Sequence, residues 1–244
     1  MASDKKTVIA FDLYGTLLST DSIAKELSSH FGDEKAKTLA TLWRRYQLEY
    51  TWRLNSMSIY KDFSDVTRAS LAHALAESSL TLPPAAIDSL MRAYDSLDLN
   101  PDVAPGLVSL QSSRSIDAYI FSNGSPAMLK SSVTKSLSLA QFQGIFQDIV
   151  SVEDVKVYKP DPRAYHHLAG RVGRGDMESI WLVSSNPFDV VGARAAGLKA
   201  AWVDRQGLGW VDGLGELVGG KGPTVVARGV DEAVREIQRQ AGNL

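Results

Sequence analysis

Residues 8–17 read Val-Ile-Ala-Phe-Asp-Leu-Tyr-Gly-Thr-Leu. The first four are an apolar run that ends at Asp12, with polar residues before it and the turn residue Gly15 after it. A short apolar run bounded in this way predicts a strand that is buried on both faces. The segment therefore predicts a buried strand that carries a carboxylate at its carboxyl end.

Three further apolar runs have the same character and also end at polar residues. They cover residues 118–121, 180–183 and 200–203, and weaker strand candidates cover residues 149–152 and 224–226. Helical patterns alternate with these strands, at residues 126–136, 161–172, 186–197 and 230–240. Two of those helices open with an N-cap residue before proline, at Asp161-Pro162 and Asn186-Pro187. The alternation predicts a Rossmann-like α/β fold, with a parallel sheet core and helices on both faces.

Residues 20–99 differ, because they show helical periodicity and no convincing strand. Helices are expected at residues 58–77 and 85–97, after an earlier helix with one apolar stripe. That stripe contains Leu39, Leu42, Trp43, Tyr46 and Tyr50. We expect an inserted all-helical cap subdomain at residues 18–99, within a core made of residues 1–17 and 100–244. Residues 212–222 hold five glycines and predict a surface loop.

The composition narrows the class of protein. The chain has 244 residues, a formal net charge of −2, 44% hydrophobic residues, four histidines and no cysteine. Near-neutral charge argues against a nucleic-acid partner, and the lack of cysteine excludes disulfide scaffolds, thiolate metal sites and a cysteine nucleophile. No apolar run reaches the length of a membrane helix, and residues 1–7 lack the apolar core of a signal peptide. We expect a cytoplasmic enzyme or binding protein with no membrane partner.

Polar residues collect where the predicted strands end. They are Asp12, Ser122, Asn123, Ser184, Asn186 and Asp189. Ligands of open parallel sheets bind outside the carboxyl ends of the strands. One such residue alone is commonly a helix cap, but their convergence with a carboxylate predicts a binding or catalytic site.

Four segments resemble the ordered motifs of the haloacid dehalogenase superfamily. Residues 11–17 are similar to its first motif, in which the first aspartate is a nucleophile. Ser122-Asn123-Gly124-Ser125-Pro126 resembles the second motif, and Tyr158-Lys159-Pro160-Asp161 resembles the third. Residues 184–189, Ser-Ser-Asn-Pro-Phe-Asp, resemble the fourth. The resemblance covers nearly the whole chain.

Two positions decide between branches of this superfamily. Its magnesium-dependent phosphatases carry a second aspartate two residues after the nucleophile, where this chain has Tyr14. They also carry an acidic pair or Gly-Asp where this chain has Ser184-Ser185. A phenol is a poor general acid at neutral pH, and serines offer Mg²⁺ no carboxylate. The chain instead resembles the type II branch, the L-2-haloacid dehalogenases; a magnesium-dependent phosphatase and a catalytically silent binding protein remain as alternatives.

The resemblance implies that short L-2-haloalkanoic acids are hydrolysed to D-2-hydroxyalkanoic acids and a halide ion, without a cofactor or a metal. Halide leaves without a proton, so the reaction needs an anionic nucleophile and donors that stabilise the leaving charge, but no general acid. Asp12 would form an ester with the substrate, and water would hydrolyse it. The expected catalytic residues are Asp12, Thr16, Lys159, Ser184, Asn186 and Asp189.

Each expected residue has a role in that scheme. Lys159 holds Asp12 ionised, Thr16 and Ser184 orient its carboxylate, and Asp189 with Asn186 activates water. Ser122 and the main-chain N–H groups of Leu13 and Tyr14 bind the substrate carboxylate, and Arg44 and Asn123 bind halide. Phe188 lines the pocket, and Leu48, Phe63 and Tyr165 match family positions that do so. Residues 42–52 resemble the branch's cap helix, whose aromatic character, with the family resemblance, also predicts a homodimer.

Several of these residues have a second interpretation. Arg44 lies off the apolar stripe, where it would face either the site or solvent, while Arg45 is expected at the surface. Asn186 is a good N-cap, a role that can coexist with catalysis, and Asp189 would also stabilise the N-terminus of its helix. Ser125 is expected to be only a cap.

Overall fold

The computed structural model describes residues 6–242, and its six parallel strands form one sheet. The strands are β1 (Thr7–Phe11), β2 (Ile116–Ser122), β3 (Phe146–Ser151), β4 (Ile180–Ser184), β5 (Lys199–Val203) and β6 (Val225–Ala227). Their order is β3-β2-β1-β4-β5-β6. Ile9 on β1 pairs with Ala118 on β2 and Trp181 on β4, so the end of β1 lies between the ends of its two neighbours.

Helices pack on this sheet and also form a separate group between β1 and β2. The helices are α1 (Asp21–Phe31), α2 (Asp33–Ser56), α3 (Phe63–Glu77), α4 (Pro84–Ala93), α5 (Val103–Gln111), α6 (Pro126–Lys135), α7 (Leu137–Ala140), α8 (Pro162–Arg171), α9 (Pro187–Ala195), α10 (Leu214–Leu217) and α11 (Val230–Gln240). The strand order and the covering helices confirm the predicted Rossmann-like fold.

Burial explains why the apolar runs form strands. Val8, Ile9, Ala10 and Phe11 are fully buried, because their side chains alternate between two helix-covered faces of the sheet. Gly15 has a φ of 85°, a backbone conformation that favours glycine, and it lets the chain turn directly after β1.

Residues 18–99, called here the helical insertion, contain α1 to α4 and no named strand. The chain leaves and re-enters the core along adjacent segments, where Leu18 and Leu99 form an antiparallel bridge. Inside the insertion, Trp43 is fully buried, its indole N–H donates to the carbonyl of Thr67 at 2.8 Å, and its ring packs edge-on against Tyr94.

Some boundaries differ from the sequence prediction. The helix expected over residues 58–77 begins at Phe63, because Ser58 has a φ of 55° and the side chain of Asp62 caps the amide of Ser64. The prediction does not include α1 or α5, and α5 contains Pro105 and Gly106, which weaken its helical signal. The loop expected over residues 212–222 contains the short helix α10.

No helix within residues 6–242 combines the length and apolarity that crossing a membrane requires. Residues 1–5 belong to the segment used for the signal-peptide expectation, and they lie outside the described part of the chain.

Candidate active site

The polar strand ends meet at one place because β1 lies between β2 and β4. Asp12 follows β1, and Ser184 is the last residue of β4. Ser122 is the last residue of β2, and Asn123 follows it. This is the point where the strand order reverses, and the crevice there is the usual ligand site of such sheets.

Donors surround the Asp12 carboxylate, which is only 6% exposed. Oδ2 accepts hydrogen bonds from the hydroxyl of Thr16 at 2.8 Å, the amide of Asn186 at 2.7 Å and, at 3.4 Å, the hydroxyl of Ser184. Oδ1 accepts one from the ammonium of Lys159 at 3.1 Å. Oδ1 is therefore the less engaged oxygen of a carboxylate that its donors hold in place.

Lys159 is buried between two carboxylates. Its Nζ donates to Asp12 Oδ1, to Asp189 Oδ2 at 2.7 Å and to the carbonyl of Phe121 at 2.9 Å. Burial alone would lower the pKa of this ammonium, but the charges of Asp12 and Asp189 outweigh burial and raise it. Lys159 is therefore a permanent cation in the site.

Asp189, near the start of α9, is fully buried. Burial raises its pKa, and Lys159 only partly offsets that effect. The hydroxyl of Tyr165 donates to Asp189 Oδ1 at 2.8 Å, and burial raises the pKa of Tyr165 well above its usual range, so this hydroxyl keeps its proton. Tyr165 thus also holds Asp189 in place; its position in the pocket wall stays a prediction.

Gly192 makes this approach of Tyr165 possible. A Cβ at Gly192 would lie 2.5 Å from the Tyr165 hydroxyl oxygen and 2.6 Å from Cβ of Pro160. Both distances are far below van der Waals contact, so a side chain at this position would displace Tyr165 or α9.

Asn186 occupies the N-cap position of α9, as expected, but its side chain makes no capping hydrogen bond. Its side-chain NH₂ group donates to the Asp12 carboxylate in a charge-assisted hydrogen bond. The caps expected at Ser125 and Asp161 are confirmed, since these side chains accept from the amides of Met128 and Arg163.

Arg44 reaches the site from α2. Its Nη2 approaches the carbonyl oxygen of Tyr14 at 3.4 Å, and its Nη1 donates to Oε1 of Gln47 at 2.6 Å. Buried Gln47 is itself held by the hydroxyl of Thr67 at 2.7 Å. The neighbouring Arg45 is exposed, as expected.

Aromatic and aliphatic groups border the site. The Tyr14 ring stacks on Phe63, with centroids 6.1 Å apart, and its hydroxyl shares a hydrogen bond with Ser132 at 3.1 Å. The Phe188 ring packs edge-on against Trp52 of α2 at 5.4 Å. Leu48 on α2 is half-buried, and Leu13 is fully buried in the core cluster.

Ser122 and Asn123 shape the turn after β2. The Ser122 hydroxyl oxygen accepts from the amide of Gly124 at 3.2 Å. The side-chain oxygen of Asn123 accepts from the main-chain amide of Lys159 at 2.9 Å. The NH₂ group of Asn123 can therefore donate to a different group. Asn123 thus also holds the main chain of Lys159.

Sequence reasoning missed two residues that hold the turn after Asp12. The hydroxyl of Ser185 donates to the Gly15 carbonyl at 2.7 Å, and its amide donates to the Thr16 hydroxyl at 2.9 Å. Arg205 donates to the carbonyls of Gly15 and Thr16 at 3.1 and 2.7 Å. Arg205 follows the strand predicted at residues 200–203, so the strand-end signal used for the other residues also applies to it.

The residues present do not fit the magnesium ion of the related phosphatases. Two of the oxygens that such an ion would use, on the Asp12 carboxylate and the Tyr14 carbonyl, both face the amide of Asn186, and the latter also faces Arg44. Among residues 6–242, no group of three or more histidine, cysteine or acidic side chains is arranged to hold a metal. Hydrogen-bond donors stand where a cation would need oxygen ligands.

Comparisons with known proteins, by sequence and by structure, point to one family. A family model described as haloacid dehalogenase-like hydrolase matches residues 6–197. The chain is 36% identical to (S)-2-haloacid dehalogenase 4A of Burkholderia cepacia, covering 84% of this chain and 85% of that one. It is 34% identical to haloacetate dehalogenase H-2 of Moraxella sp. strain B, covering 87% and 91%.

A solved structure shares the whole architecture. The L-2-haloacid dehalogenase of Xanthobacter autotrophicus, with chloropropionic acid covalently bound, superposes with a TM-score of 0.82 at 28% identity, covering 96% of this chain and 98% of that one. The motifs, the fold and these relatives together place the chain in the family of haloacid dehalogenase-like hydrolases.

Proposed function

We propose that this protein hydrolyses the carbon–halide bond of short L-2-haloalkanoic acids, giving D-2-hydroxyalkanoic acids and halide without a metal. The observation that carries the proposal is the environment of Asp12. The carboxylate is held in place among donors. The hydroxyl of Tyr14, which stands where the phosphatases carry their acid, shares a hydrogen bond with Ser132. Relatives named as (S)-2-haloacid dehalogenases support this substrate class.

In the first step, Asp12 Oδ1 attacks C2 of the substrate from the side opposite the halogen. A carbon–oxygen bond forms while the carbon–halogen bond breaks, and halide leaves with the bonding electrons. Arg44 and the NH₂ group of Asn123 stabilise the departing charge. Ser122 and the main-chain amides of Leu13 and Tyr14 hold the substrate carboxylate, and the configuration at C2 inverts.

In the second step, water attacks Cγ of the Asp12 ester. Esterification removes the charge of Asp12. Of the two carboxylates that Lys159 contacts, only that of Asp189 then remains. Asp189 accepts a proton from the water. The bond between Cγ and the substrate oxygen breaks, the alkoxide takes the proton from Asp189, and Asp12 returns to a carboxylate as a proton passes to solvent.

The helical insertion acts as a cap in this proposal. Residues 18–99 cover the site, and residues 1–17 and 100–244 form the catalytic core. Arg44 with Leu48 and Phe63 on the insertion, and Phe188 on the core, enclose the substrate, and the exclusion of water strengthens the electrostatics at Asp12. We also propose a homodimer; the cytoplasmic location expected from the sequence stays a prediction.

The proposal is tested by halide release from separate L- and D-2-chloropropionate, with EDTA present throughout. We expect release from the L form only, with D-lactate as the product. Asp12→Asn should abolish release while the fold survives, and Asp88→Asn, at an exposed ion pair, should leave the rate unchanged. Full activity of a verified Asp12→Asn protein would contradict the nucleophile. Phosphate release that requires Mg²⁺, without any halide release, would favour the phosphatase alternative, and neither activity would favour a silent binding protein.

A further inference from the structure

Lys159 occupies an irregular segment of chain, between the short 3-10 helix Val152–Val155 and α8. Neither strand pairing nor helical hydrogen bonds hold this segment. The ammonium of Lys159 nevertheless contacts two carboxylates, at 3.1 and 2.7 Å. A cation shared in this way needs a well-defined main chain, because a shift of an ångström would break one of the two contacts.

Asn55, in the last turn of α2, holds the residue before Lys159. Its Nδ2 donates to the carbonyl of Tyr158 at 2.6 Å, and its Oδ1 accepts from the amide of Tyr158 at 2.9 Å. The two bonds imitate those of a neighbouring strand and engage both main-chain groups of a fully buried residue, whose carbonyl also accepts from the amide of Asp161 at 3.0 Å. The amide of Lys159 is held by Asn123, so consecutive peptide groups are fixed from the insertion and from the core.

Other contacts hold the loop that follows α2 in the same place. The Tyr158 hydroxyl donates to the carbonyl of Lys61, and its ring stacks on Tyr60 with centroids 5.1 Å apart. Asn55 also follows Arg44 by eleven residues, which places both on one face of α2. One helix thus brings Arg44 to the site and reaches the segment that carries Lys159.

We propose that Asn55 is a positioning residue, which fixes Lys159 between Asp12 and Asp189 by holding the main chain of Tyr158 from the helical insertion. This inference rests on the role of Lys159 in the proposed function. The insertion then does more than cover the pocket, because its seating on the core completes the arrangement of charges around the nucleophile.

The kinetic test compares Asn55→Ala, which loses both hydrogen bonds, with Asn55→Asp, which keeps an oxygen for the Tyr158 amide. Ser56→Ala, at the adjacent exposed position, is the matched control. Ester formation on Asp12 is followed by rapid quench and intact mass at saturating L-2-chloropropionate. We expect Asn55→Ala to lower that rate about 10- to 100-fold with KM within about twofold, Asn55→Asp to fall between, and Ser56→Ala to match the original protein. A lower melting temperature with an unchanged rate would overturn the proposal.

A second measurement does not depend on any substrate. Amide hydrogen exchange at Tyr158 and Lys159 should accelerate at least tenfold in Asn55→Ala, while the amides of β1 keep their protection. Unchanged exchange at these two amides would show that Asn55 does not hold this segment. If the original protein released no halide from any 2-haloacid, the proposed function would fail, and the exchange result would still decide whether Asn55 holds this segment.

Discussion

The buried ammonium of Lys159 contacts two carboxylates in this site, those of Asp12 and Asp189. Lys159 and three further donors hold the Asp12 carboxylate in place. Asp189 shares the same ammonium in a fully buried position, and its pKa is raised. In the proposed function the two aspartates that share this lysine have different tasks, Asp12 as nucleophile and Asp189 as proton acceptor.

Arg44 provides a prediction at the same scale. Arg44→Ala removes a guanidinium that contacts Gln47 and the Tyr14 carbonyl and that receives the halide in the proposed function. Loss of one charge-stabilising donor typically costs about 10²- to 10³-fold in rate, so kcat for halide release should fall by about that factor. The melting temperature should change by only a few degrees, because the side chain is half-buried and its main contacts are polar.

Arg45→Ala is the matched control for Arg44→Ala, because Arg45 is the adjacent exposed arginine and its ion pair with Glu77 is long, at 3.9 Å. Halide release and thermal unfolding should both stay near the original values in this variant. An unchanged turnover in Arg44→Ala would show that another residue receives the halide.

At the scale of single elements, α2 has two functional faces over its 24 residues. One face packs within the insertion through buried Leu39 and Trp43. The other carries Arg44, Leu48, Thr51 and Asn55 at spacings of four, three and four residues, which is the period of one helix face. Packing and chemistry are thus separated by the rotation of the helix.

A second element-scale feature connects the turn after β1 to the starts of α5 and α11. Asp102, before α5, accepts from Nε and Nη2 of Arg205 at 2.8 and 2.9 Å and from the amide of Val230, at the start of α11, at 2.7 Å. Burial alone would raise the pKa of Asp102, but the hydrogen bonds of Arg205 and Val230 lower it. A lowered pKa means that the ionised form stabilises the fold above the ordinary value of 3.8.

Asp102→Asn should therefore reduce the free energy of unfolding at pH 7 by about 1 kcal/mol, since water screens a partly exposed pair. The difference between the two proteins should narrow as the pH falls below 3.8, because the original aspartate then gains a proton and loses its advantage. Urea unfolding at a series of pH values measures this. A difference that stays constant with pH would show that the charge of Asp102 does not contribute.

At the scale of the whole molecule, the insertion leaves an apolar surface of its own. A groove of about 300 Å³, lined in part by Tyr50, Leu54 and Val66, lies next to Met57, which is 57% exposed. Ile59 nearby is 46% exposed. Association of two copies, as proposed above, would cover exposed apolar groups on this surface.

We predict that the protein sediments as a dimer at micromolar concentration and that Met57→Lys shifts it toward the monomer. Val108→Lys is the control, because Val108 is 53% exposed on α5, outside the helical insertion. Sedimentation velocity measures both variants. A monomeric original protein, or equal dissociation in the two variants, would contradict association through the insertion.

The sequence by itself determined the parallel sheet, the helical insertion and the residues at the strand ends. Buried parallel strands must be nearly continuous apolar runs, and the chain then has to turn at polar residues, so both features are written locally in residues 8–17 and their repeats. The order of the motifs and the replacement of an acid by Tyr14 can also be read directly from the sequence, because each is a property of neighbouring residues.

Tertiary structure alone decided which of several local partners each polar side chain takes. The side chain of Asn186 binds Asp12 and that of Tyr165 binds Asp189, because folding brings these groups within 3 Å of one another. The Asn55–Tyr158 bonds join residues 103 positions apart. Such contacts leave no period or spacing in the sequence, because they depend on how the insertion rests on the core.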